Sequence, residues 1–182
     1  MGLFAVFPVE EVTVRDIATA VDMTPAAVYY HFASKEQVLI EGMQLFADRL
    51  RHEIETHVPA AGDIEGVGKM LTHALNWVQR DRAPAYVYFV SSVGLNLNVE
   101  ARRRATRITL VELLRDAVRL ARGNIGKAEA SVIAVSLLSL LETAAASMLN
   151  HDAMHRSLAG RLFAEEINGL ALRISGAERR NH

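Results

Sequence analysis

The sequence predicts an all-α fold, and three observations predict it. Apolar residues recur at helical spacing along nearly the whole chain, and no segment alternates long enough to make a strand. Only 11 Gly and 4 Pro interrupt 182 residues, while Ala and Leu abound. The third is punctuation: helix starts are spelled out where the pattern breaks. The longest break, Pro59-Ala60-Ala61-Gly62, divides the chain into a unit at 1–57 and a larger one at 58–182.

Three starts come in quick succession. Thr13 leads "TVRDIATAV" with Asp16 three residues on, the spacing of a capping box. Thr24 precedes Pro25, an N-cap with proline at the first helical position. Ser34 leads "SKEQ", where Gln37 completes a second box. These caps predict helices over 13–21, 24–31 and 34–57, with Asp22 at a turn that needs a left-handed residue. The long helix carries an apolar stripe of Val38, Leu39, Met43, Phe46, Leu50 and Ile54. Further helices are expected near 64–80, 84–95, 99–122, 126–151 and 154–175. Pro84 is expected to start one and Gly123-Asn124 to end another.

The absence of cysteine excludes a disulfide framework, a thiolate metal site and a thiol nucleophile, and a cytoplasmic location is expected. "MGLFAVFPVEE" lacks a basic start and turns acidic early, so no signal peptide is expected. Val132–Leu149 is long and apolar, but Glu142, Thr143 and three serines predict a helix buried between helices rather than a membrane span.

Two short helices joined by a tight turn, the second with an exposed face, make a helix-turn-helix, which places one helix in a DNA major groove. Val28 and Phe32 at i, i+4 anchor the second helix inward, and Tyr29 and Tyr30 cannot both follow them. "LFA", "TVRDIA" and "VYYHFASKEQVL", at these separations over about residues 3–46, resemble the DNA-binding domain of the TetR family of ligand-responsive transcriptional regulators. The resemblance implies that Pro25, Ala26 and Tyr29 face the bases with Ala27 near the backbone. It further implies that Tyr30, His31 and Lys35 hold phosphates, with Thr13 and Thr24 assisting at helix starts. Small apolar groups meet thymine methyls but make no bidentate bonds, so modest direct readout is expected.

Two departures from the family pattern stand out. "GLFA" matches only the last turn of the family's first helix, so an incomplete first helix is expected. Residues 1–57 hold four basic side chains against nine acidic ones, a net of −5, while 58–182 hold sixteen against twelve, a net of +4. An acidic head predicts weak, salt-sensitive binding to operator DNA.

The second unit architecturally resembles the family's ligand-binding and dimerisation domain. Met70, His73, Trp77, Tyr86, Phe89 and Val90 are expected to wall a pocket for a small, uncharged or weakly polar hydrophobic effector, with Arg107 as the cation to watch. Ala130, Ala134, Leu137, Leu138, Leu141, Ala145 and Met148 form one broad apolar face, and Leu158, Leu162, Ile167 and Leu170 another. These faces resemble a two-fold four-helix interface, so a homodimer is expected.

His151 and His155 in "HDAMH" lack a third strong ligand nearby, so they read as a helix end and no metal is expected. The arginines of "EARRRATR" splay around a helix and read as a solvated face. No Gly-rich phosphate loop or nucleophile elbow is present, so neither enzyme nor cofactor is expected. The expected function is a ligand-responsive regulator, acting as a repressor released from DNA by its effector. The competing expectation is a dimeric helical small-molecule-binding protein with impaired or lost DNA binding.

Overall fold

The structure is a computed structural model that describes residues 1–153, 156 and 159–176. The described residues form helices and connecting turns, with no strand among them. In chain order the helices are α1 (Gly2–Val6), α2 (Val14–Ala20), α3 (Pro25–His31), α4 (Lys35–Glu55), α5 (Ile64–Arg80), α6 (Arg82–Tyr86), α7 (Leu97–Arg122), α8 (Lys127–Asn150) and α9 (Ala159–Ile174). A π-helical segment, Val87–Ser91, continues directly from α6.

The caps act as their residue types dictate. The Asp16 amide donates to Thr13 Oγ1 (3.2 Å) while the Thr13 amide donates to Asp16 Oδ2 (2.9 Å), closing the box at α2. Thr24 Oγ1 accepts from the Ala27 amide (3.2 Å) and Ser34 Oγ from the Gln37 amide (3.1 Å). Gln37 departs slightly from expectation: its side-chain oxygen accepts from the Ala33 amide (2.6 Å), one residue before the cap. Asp22 takes the left-handed conformation expected of it (φ 53°), and Gly123 ends α7 at φ 69°.

One buried cluster runs from Phe4 of α1 through Leu39, Met43, Phe46 and Leu50 of α4 into α5, α7 and α8. The α4 stripe therefore packs the helices of the first unit onto those of the second. Gly68 lets α9 approach α5 closely: a Cβ there would lie 2.3 Å from Asn168 Oδ1.

Two elements begin or end away from their expected bounds. The helix expected at 84–95 starts at Arg82, with Pro84 in its first turn, passes into the π segment at Val87 and ends at Ser91. α8 is long and apolar enough to span a membrane, with a mean hydropathy of 1.9 in its most apolar stretch, yet 56% of that stretch is buried inside the fold.

Candidate nucleic-acid interface and effector domain

α3 is almost all surface. Val28 is its one buried side chain and turns inward. Around it Pro25, Ala26 and His31 are exposed, Ala27 is half-buried, and Tyr29 and Tyr30 are 57% and 86% exposed. The Tyr30 and His31 rings meet edge to face at 5.1 Å. Large aromatic side chains left this open on a seven-residue helix face a partner or water, since no described residue covers them. Thr13 and Thr24, the caps of α2 and α3, are exposed as well.

Lys35 requires a correction. Its ammonium donates to three carbonyls, Val9 (2.7 Å), Glu10 (2.8 Å) and Val12 (2.7 Å). An ammonium has three N–H groups, so none is left for the expected phosphate. Lys35 instead ties the first turn of α4 to the chain entering α2. Thr13 is likewise committed, its hydroxyl donating to Asp16 Oδ2 at 2.6 Å. That bond and the Thr13 amide hold the Asp16 carboxyl below the usual carboxylate range.

Of the residues expected to wall a pocket, His73 lines a cleft between α5 and α9 and the others pack in or against the core. Met70 and Phe89 are buried in the core. Phe46 stacks on Trp77 (5.2 Å) and meets Phe89 edge to face (5.8 Å), and the Arg49 guanidinium lies 5.5 Å from the Trp77 ring centre. Tyr86 and Val90 are half-buried against the same cluster. Arg107 pairs with Glu142 of α8, which answers its charge within the chain. The cleft of about 550 Å³ between α5 and α9 is lined by His73 with Lys69, Thr72, Asn76, Gln79 and Asn168 among others. His73 stacks on His57 at 4.2 Å beside it.

The expected dimer face of α8 is also corrected. Ala130, Ala134, Leu137, Leu138, Leu141, Ala145 and Met148 are all buried within the chain. The outward side carries Val132 (67% exposed), Val135 (46%), Ser139, Thr143 and Asn150. On α9 Leu162 and Leu170 are exposed, while Ile167 packs on the core. Leu158 and His155 lie outside the described residues.

Sequence reasoning misses Tyr88 and Arg103. Tyr88 is buried, its ring 5.2 Å from Phe46 and 5.0 Å from the Arg103 guanidinium. Burial raises the Tyr88 hydroxyl's pKa above its ordinary value.

An all-α chain with a helix-turn-helix head belongs to the class that carries an exposed helix on a helical body. Residues 1–41 match the family model described as bacterial regulatory proteins, tetR family. The whole chain superposes on the fatty acid degradation regulator FadR of Bacillus halodurans (TM-score 0.77, 16% identity, covering 98% of this chain and 92% of that one). It also superposes on the TetR-family regulator PfmR of Thermus thermophilus (TM-score 0.72, 23% identity, 97% and 95%). A third match is FadR of Bacillus subtilis in complex with stearoyl-CoA (TM-score 0.70, 14% identity, 98% and 96%). No curated protein matches the sequence. The head thus matches that family's model over residues 1–41, and the chain as a whole shares the all-α fold of these regulators.

Proposed function

We propose that the chain is a ligand-responsive transcriptional repressor that binds operator DNA as a homodimer and is released by an effector with a large apolar part. The observation that carries the reading is α3: capped at Thr24, anchored by Val28 alone, and open at Pro25, Ala26, Tyr29, Tyr30 and His31. Tyr30 and His31 supply phosphate contacts at its edge, and the fit of one helix to a major groove sets the rest. Homodimerisation uses the outward sides of α8 and α9, through Val132, Val135, Leu162 and Leu170, and two copies match a palindromic site. The protein acts in the cytoplasm.

The effector enters by the cleft between α5 and α9 and perturbs the aromatic cluster of Trp77, Tyr88 and Phe89. Phe46 of α4 belongs to that cluster, so an effector that parts the rings tilts α4 and with it the head. The Bacillus subtilis FadR that holds stearoyl-CoA in this fold supports an effector with a long apolar chain.

A second reading, a dimeric small-molecule-binding protein without DNA control, is favoured by the head's net charge of −5 and by Lys35's internal role. Titration of labelled DNA from upstream of the gene, against a scrambled duplex at two salt concentrations, separates the two. Specific binding that is weakened by stearoyl-CoA supports the repressor. Equal binding to both duplexes supports the second reading.

A further inference from the structure

The π segment breaks the hydrogen-bond register at one point. The Ser92 amide reaches past Tyr88 to the Val87 carbonyl (3.0 Å). The Tyr88 carbonyl takes other donors: the Ser92 hydroxyl (3.4 Å) and Nη1 of Arg103, which comes from the second turn of α7. The same guanidinium lies over the Tyr88 ring, so one side chain holds both the backbone and the ring of the residue. Arg103 is 12% exposed, and its carboxylate neighbour Glu100 (3.6 Å) also accepts from the Gly94 amide (2.8 Å).

This small assembly touches the head. Ser91, the last residue of the π segment, donates its hydroxyl to the Phe4 carbonyl of α1 (3.2 Å), and Phe4 is buried against the same core. The first turn of α7 reaches the head separately, Asn98 donating to Glu36 of α4 (2.9 Å). A π turn inside a helix is a rare register that leaves one carbonyl without its usual amide donor, and such turns gather at functional sites.

We infer that Arg103 is a positioning residue that locks the π segment in the register on which α1 is seated, so that its release loosens the head while the helical body stays folded. Its use in regulation rests on the repressor reading, since a loosened head no longer holds α3 at a fixed angle. The structural latch does not depend on that reading.

Hydrogen exchange of the full-length protein tests it, comparing Arg103→Met, Arg103→Lys, Ser91→Ala and the exposed-site control Arg104→Met. Arg103→Met is expected to speed exchange of the α1–α3 amides about tenfold, the scale of one hydrogen bond to a charged group. Arg103→Lys restores part of this protection, Ser91→Ala gives a smaller rise centred on α1, and Arg104→Met changes nothing. Acceleration confined to residues 87–106, or spread evenly over α5, α7 and α8, overturns the inference, as does a Ser91→Ala chain with unaltered α1. DNA titration of the same variants is read separately. A loosened head in a protein that never bound DNA specifically leaves the latch standing and removes the repressor.

Discussion

α3 and α8 are held in place by opposite means. Seven residues of α3 rest on one buried valine, a threonine cap and a proline at its first position. Twenty-four residues of α8 bury eleven side chains and have no side-chain cap at their start. The head around α3 is tied by polar contacts, with Lys35 serving three carbonyls and Asp16 returning the Thr13 amide. The body around α8 is held by apolar burial, which is non-directional and needs no single atom. The contrast teaches where each region is vulnerable: the body to lost volume, the head to lost hydrogen bonds and charge.

The largest effect is expected in the body. Leu141→Ala removes a fully buried side chain of α8 and should cost about 2–5 kcal/mol, read from the shift of a denaturant midpoint. Lys35→Met strips three carbonyls of a charged donor and should cost about 1.5–3 kcal/mol. The comparison predicts that this loss appears in exchange of the α2–α3 amides before those of α8; uniform loss would break it. Thr24→Ala should cost about 1 kcal/mol, again confined to the head.

The smallest effect is on acidification. The Asp16 carboxyl is held below its ordinary value of 3.8 by its bonds to Thr13. Its contribution is therefore complete above that value and fades as pH falls below it through the lowered pKa. Helical NMR shifts of α2 should weaken in that acid range, and Thr13→Ala should remove the dependence. A dependence that survives Thr13→Ala would assign it to another group.

What can be read in the sequence follows the same divide. The caps at Thr13, Thr24 and Ser34 and the left-handed Asp22 are legible because each depends on residues within a few positions of itself. The role of Lys35 is not, because its partners at Val9, Glu10 and Val12 are brought near only when the head folds. The inward face of α8 reads as a partner's because a helix apolar nearly all round has little periodicity to orient it. A faint signal is present: Ser139 and Thr143 fall on the outward side with Val132 and Val135, while Leu137, Leu138 and Leu141 fall inward. In "AYVYFVSS" a continuous apolar run hides the π register, and with it Tyr88 and Arg103.

In the proposed repressor, α3 is exposed for DNA. The most direct measurement is anisotropy titration of the upstream duplex with the Tyr29→Ala, Tyr30→Ala double variant, beside its melting curve. Both side chains lie largely in solvent, so melting should stay within about 0.5 kcal/mol of the parent. Affinity for the specific duplex should fall by about tenfold or more, the worth of one or two lost contacts. A variant that melts like the parent and binds the duplex as tightly would contradict the account.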